Sequence, residues 1–191
     1  MNAERDATNG WPAEVENLLE RHPRATWSAA RSATAAFWLD VHEHLRRDAA
    51  GLEAAGDEYR GNRASPAQLA VIAAPRLHGL IAAMHGHHQV EDFHYFPAFR
   101  RTEPRLAAGF DRLERDHAAL ASNVDTALAA LAELRATAER SVEHAPSATL
   151  QLAAQRYLDA AARLCAALLR HLDDEENLVV PLLIDRDRVT D

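Results

Sequence analysis

Apolar residues return every three or four positions through most of the chain, and no stretch alternates apolar with polar residues over a strand's length. The pattern predicts helices throughout. A short one spans Ala13 to Arg21, with Val15, Leu18 and Leu19 on one face, and His22-Pro23 ends it. Four long helices are expected next. Helix A covers about Thr26 to Ala55, and a polar stretch from Gly56 to Ser65 follows it. Helix B starts at Pro66 behind a Ser65 cap and runs to about Arg101, with a possible break at Pro75. Helix C runs from Pro104 to Val142 and helix D from Pro146 to Arg186. Short connections make successive helices antiparallel neighbours. The expected fold is all-α: an up-down-up-down four-helix bundle over residues 26–188, with residues 1–25 as an N-terminal helical arm.

The apolar stripes carry polar residues where a core would exclude them. Helix A reads Trp38, His42, Leu45, Ala49, Leu52. Helix B reads Leu77, Leu80 or Ile81, Met84, His87, Glu91, Tyr95. Helix C reads Leu106, Phe110, Leu113, His117, Leu120, Val124, Leu128, Leu131. Helix D reads Tyr157, Ala161, Leu164, Leu168, His171, Glu175, Leu178, Leu182. A lone histidine on such a stripe is more often an ordinary core or edge residue. Burying all six polar groups without partners would cost on the order of 1–3 kcal/mol each.

Their depths coincide. Residues on neighbouring antiparallel helices lie level when they are equidistant from the turn. The midpoint of His42 and His87 falls between Ala64 and Ser65, that of His87 and His117 at Thr102, and that of His117 and His171 at His144. Each midpoint lies in an expected connection, so the four histidines are expected in one layer. Helices B and D also share a motif, H-x-x-x-E-[DE]-x-x-x-x-P, in His87 to Pro97 and His171 to Pro181. Histidine and glutamate four residues apart share a helix face, and a carboxylate has two oxygens with which to span a metal pair. The candidate ligands are therefore His42, His87, Glu91, His117, His171 and Glu175, a nitrogen and oxygen set suited to two ions of Fe, Mn or Zn.

Alternatives remain open at this point. His44 competes with His42, and Glu176 with Glu175. His88 with Asp92 repeats the spacing as a flanking or surface pair. Glu91-x-x-His94 and Glu114-x-x-His117 fit a ferritin-like di-iron carboxylate site. A metal-free helical interaction domain is the plain reading. His22 and His144 are expected in solvent, and Trp27, Trp38 and Phe37 are expected to seal the arm side of the core.

Composition adds constraints. The chain has 191 residues, a net charge of -8 and no basic block, which disfavours nucleic acid and anionic membrane as partners. No apolar run approaches a membrane span, and residues 1–12 do not resemble a secretory signal. The single cysteine, Cys165, excludes an intrachain disulfide and a cysteine-based zinc site. A cytoplasmic location is expected. No Ser-His-Asp set, phosphate-binding glycine loop or nucleotide motif appears, so a metal-binding or sensing protein is expected ahead of a dedicated enzyme.

In these residues the chain resembles the hemerythrin-like family of HHE cation-binding domains, from about Thr26 to Arg186. The resemblance rests on His42, His87-x-x-x-Glu91, His117 and His171-x-x-x-Glu175 in that order, with Tyr95-Phe96-Pro97 behind Glu91. It implies two iron ions, oxo- or hydroxo-bridged, in a four-helix bundle. It also implies a small partner such as O2, NO or peroxide, or a role in iron or redox stress. The family's oxygen carriers have a second histidine four residues after the helix C ligand, where this chain has Ala121, and end in His-x-x-x-x-Asp. The four-histidine, two-glutamate pattern here is closer to members linked to repair of iron–sulfur centres.

Overall fold

The computed structural model describes residues 10–30, 32–140 and 148–189. Among these residues every regular element is helical and no strand occurs. The elements are α1 (Ala13–Arg21), a 3-10 turn (Arg24–Ala29), α2 (Ala33–Arg60), α3 (Pro66–Val90), a π-helical turn (Glu91–Tyr95), α4 (Phe96–Thr102), a second 3-10 turn (Pro104–Leu106), α5 (Ala107–Arg140) and α6 (Ala148–Val189). The expected end of helix C at Val142, the start of helix D at Pro146, and His144 lie outside the described residues.

Two expected boundaries move. The helix expected from Thr26 starts at Ala33, because Ser32 caps it: the Ala35 amide donates to the Ser32 hydroxyl at 3.1 Å. Its other end does not stop at Ala55. The helix runs through Gly56, where a side chain would meet Leu158 Cδ2 at 2.9 Å, so glycine there permits a close approach of α6. It ends at Arg60, and Asn62, two residues on, reverses the chain with a left-handed φ of 56°. The start of α3 is as expected. Ser65 and Gln68 form a reciprocal cap, with the Gln68 amide on the Ser65 hydroxyl at 3.2 Å and the Ser65 amide on Gln68 Oε1 at 2.8 Å. Pro75 does not interrupt α3; it sits on an exposed face, where solvent can serve the backbone group it leaves unbonded.

The described residues form two compact units. The first comprises those within 10–43, 89–116 and 170–189, and the second those within 44–88, 117–140 and 148–169. The core of the first unit joins Val15 and Leu18 of α1 to Trp38, Phe96, Phe99, Phe110, Leu113 and the Leu178–Ile184 segment of α6. Fully burying each such side chain contributes roughly 1.5–3 kcal/mol, so the arm is part of this core. Phe37, expected to help seal it, is instead 61% exposed; the face of α2 that is buried carries Ala35, Trp38 and His42.

His22 is a second correction. It is 3% exposed, and its Nε2 lies 3.0 Å from Asp185 Oδ1, which also accepts from Arg21 at 2.8 Å. The Trp27 indole donates to the His22 carbonyl at 2.8 Å, which fixes the chain beyond α1. Burial raises the Asp185 carboxyl, but the His22 hydrogen bond and the Arg21 charge outweigh it and leave the group below its ordinary 3.8. A depressed folded-state value contributes stability above the unfolded value and loses it as pH falls through the folded one. Asp185→Asn is therefore expected to lower the melting temperature at neutral pH and to shrink the difference from wild type in acid, as melts from neutral pH to below 3.8 will show.

The second unit is packed by small and aliphatic residues. Leu45, Ala49 and Leu52 of α2, Leu69, Ala73, Leu77 and Leu80 of α3, Leu120, Ala127, Leu131 and Leu134 of α5, and Ala154, Tyr157, Leu164 and Leu168 of α6 are all buried. Cys165 is fully buried among them, and burial pushes its thiol up to about 12, so it stays protonated and inert. Against the expectation that no apolar run approaches a membrane span, the helical stretch Pro66–Thr102 is long and apolar enough to cross one by length and composition alone, with 33% of its most apolar 18 residues buried inside the protein.

Candidate metal centre

The polar residues of the first unit's stripes meet one another. His42 on α2 is fully buried, whereas its competitor His44 is exposed; the two lie on different faces of the helix, and only His42 shares the face of Trp38 and Leu45. On α6, His171 and Glu175 are one turn apart and 2% and 0% exposed. His42 Nε2 lies 3.3 Å from Glu175 Oε1, and His171 Nε2 lies 3.3 Å from Glu175 Oε2, so an imidazole faces each oxygen of one carboxylate. The Trp38 indole N–H donates to Glu175 Oε1 and holds its orientation. Glu91, at the start of the π-helical turn, has a ligating oxygen within 4.8 Å of those of His42 and Glu175, and of a His171 nitrogen.

The electrostatics of this group suit a bound proton or cation. Burial raises the Glu91 carboxyl well above its ordinary range, and the charge of Glu175 and a hydrogen bond to it add to the rise; only the His42 charge opposes it. Two carboxylates in one apolar site repel each other unless a proton or a metal ion lies between them. Two carboxylates and two imidazoles with no thiolate suit Fe, Mn or Zn. The residues brought together here therefore fit a metal ion by donor chemistry as well as by distance.

Glu176, the sequence-level competitor of Glu175, is 3% exposed and has a different position. Its Oε1 lies 3.1 Å from His42 Nδ1, the nitrogen turned away from Glu175, and its Oε2 accepts from Arg24 at 3.1 Å. Glu176 thus stands behind a candidate ligand. Hydrogen bonds of this kind fix the tautomer and ring orientation of ligating histidines.

The second unit holds the remaining candidate histidines, His87 and His117. His117 on α5 is 8% exposed, and its ring stacks on that of His88, with centroids 3.8 Å apart and 12° between planes. Sequence periodicity put His87 on the buried stripe and His88 beside it. The structure buries His88 and leaves His87 half-buried, with ring centroids 5.6 Å apart. Either histidine satisfies the three-and-four spacing after Met84, so the sequence held no signal to separate them.

The stripe also shifts beyond Glu91. Tyr95, expected on it, is half-buried, and Phe96 takes the core position with 0% exposure. The π-helical turn supplies the extra residue that moves the buried face from a four-residue to a five-residue step. Tyr95 instead packs edge-on against Trp38, with centroids 4.9 Å apart. The ferritin-like pairings are not assembled. His94 is exposed, and Glu114 accepts from Arg100 at 2.6 Å with its side chain 40% exposed.

No curated protein and no solved structure matches the chain. The profile of the hemerythrin HHE cation binding domain matches residues 33–183, and the chain belongs to that family.

Proposed function

We propose that this protein is a non-haem iron protein that binds or senses a small ligand, O2, NO or peroxide, or handles iron and redox stress. The observation that carries the reading is the buried group in the first unit. Glu175 is flanked by His42 and His171, and Glu91 is held beside it with its carboxyl raised by burial and by the second charge. Membership of a cation-binding family supports it. The proposed ligands to two iron ions are His42, Glu91, His171 and Glu175, with His87 and His117 as the further imidazoles. Support for the last two is their common depth in the sequence, and the stacked His88 is a competitor of His87.

Bound iron would supply the redox chemistry and the open positions for a small ligand. The chain's own residues orient the donors and keep bulk water out. Trp38 fixes one oxygen of Glu175, and Leu178, Phe96 and Phe110 wall the unit's interior. Catalysis at such a centre would need a proton donor, for which His88, Tyr95 and His94 are the candidates; Tyr95 is half-buried and packs on Trp38, His88 is buried, and His94 is exposed. A sensing or binding role is favoured over dedicated catalysis, and a cytoplasmic site of action is part of the proposal.

Metal analysis with an optical spectrum, on protein purified without a metal-binding tag, tests the reading. The expected result is about two irons per chain, with near-ultraviolet bands that respond to reductant, O2 or NO. No metal after anaerobic reconstitution with ferrous iron would return the chain to a metal-free interaction domain.

A further inference from the structure

The geometry points to Arg24, on the N-terminal arm, as a positioning residue that holds the ring of His42 in place through Glu176. The inference rests on the metal-centre reading above and extends it to a segment that precedes the family-matched residues 33–183.

The chain of contacts is continuous. Arg24 Nε donates to Asn177 Oδ1 at 2.8 Å, Nη1 to Glu176 Oε2 at 3.1 Å, and Nη2 to the Asp173 carbonyl at 2.8 Å. All three acceptors lie within five residues of α6, in the segment that carries Glu175. The guanidinium lies over the Trp27 ring, 4.8 Å from its centroid, and Trp27 is in turn bonded to the His22 carbonyl. The arm therefore holds Arg24 from behind while its fork grips α6. A planar fork is needed for this, because a lysine ammonium cannot reach three acceptors in fixed directions while stacking on a ring.

Glu176 passes the effect on. One oxygen accepts from Arg24 and the other faces His42 Nδ1 at 3.1 Å. The contact with Glu176 leaves Nε2, 3.3 Å from Glu175 Oε1, as the ring nitrogen that faces the candidate centre. Without Arg24, Glu176 loses the charge that holds it in this buried position, and the ring of His42 is free to turn. No pattern along the chain marks this role, because Arg24 lies on no stripe and in no motif.

The test compares Arg24→Gln, Arg24→Lys and Arg21→Gln in the full chain. Arg21 serves as the control because it braces the same arm through Asp185 and does not touch Glu176. Two quantities are read: ferrous-iron affinity by chelator competition, and the His42 ring signals in long-range proton–nitrogen spectra of metal-free, nitrogen-15-labelled protein. Wild type and Arg21→Gln are expected to share the same His42 ring signals. Arg24→Gln is expected to shift that signature and to weaken iron binding about 10–100-fold, with Arg24→Lys in between. An unchanged His42 signature and affinity in Arg24→Gln would overturn the inference. Equal losses in Arg21→Gln would overturn it too, by reducing Arg24 to a brace for the arm. If wild type binds no iron, the metal reading fails by itself, and the His42 ring signals still decide the role of Arg24.

Discussion

Ferrous iron is expected to raise the melting temperature of the wild-type chain by on the order of 10 °C under anaerobic conditions, and to leave Glu91→Gln nearly unmoved. Ligand that binds only the native state at about 1,000 times its dissociation constant adds ~4 kcal/mol. For a chain of this length each kcal/mol moves the midpoint by roughly 2–4 °C. Glu91→Gln keeps the size and hydrogen-bonding capacity of the side chain and removes the anionic oxygen that a cation needs. The metal-free proteins should rank the other way. Glu91 is held in a buried site beside Glu175 with its carboxyl raised, so its ionised form is unfavourable there. The neutral amide is expected to melt at the same temperature as metal-free wild type or higher. The pair of melts separates a site shaped for a cation from a structural hydrogen bond. If Glu91→Gln lowered the metal-free melting temperature and kept the full response to iron, the carboxylate would be a packing residue and the assignment would fall.

Phe110→Ala is expected to be the most destabilising single substitution away from the polar group. Phe110 is fully buried, with its ring centroid 5.3 Å from that of Phe96 and 5.6 Å from that of Phe99. Truncating such a side chain costs about 3–5 kcal/mol in lost transfer energy and residual cavity. Native domains are stable by only about 5–15 kcal/mol, so the variant should sit close to unfolding at 37 °C. Urea titration would show the midpoint falling while the slope stays constant, as befits a change in stability alone. Phe93→Ala is the matched comparison, since Phe93 is 73% exposed on the π-helical turn and a surface change of this kind shifts stability by no more than about 0.5 kcal/mol. Similar midpoints for the two variants would show that the aromatic core of the first unit is wrongly placed.

Much of this arrangement was legible in the chain. Trp38, His42, Leu45, Ala49 and Leu52 are all buried on α2, and the stripe of α6 from Tyr157 to Leu182 is buried at every expected position. Those helices are regular there, and a stripe of fixed period can be read off without knowing its neighbours. The readings that moved did so where a local rule yields to packing or to irregular backbone. Gly56 looked like a helix end and instead lets α2 pass close to Leu158. His22 looked like a solvated turn residue because its partner, Asp185, is far away in sequence. Leu128 yields its place on the α5 stripe to Ala127, a shift of one position that periodicity alone does not resolve. The contacts of Arg24 and Glu176 join residues about 150 apart, and no spacing rule reports on them.

The π-helical turn at Glu91–Tyr95 has a consequence for comparing this chain with others. A π turn is an α-helix with one residue too many, absorbed within a single turn so that the flanks on both sides keep their packing. A relative lacking the turn would place its aromatic core residue four positions after the glutamate, where this chain places Phe96 five positions after Glu91. An ungapped alignment would then pair that residue with Tyr95 and misassign every position from there to Thr102 by one. Aligning the two correctly requires a gap inside an unbroken run of helix, a place where gaps are ordinarily penalised most heavily.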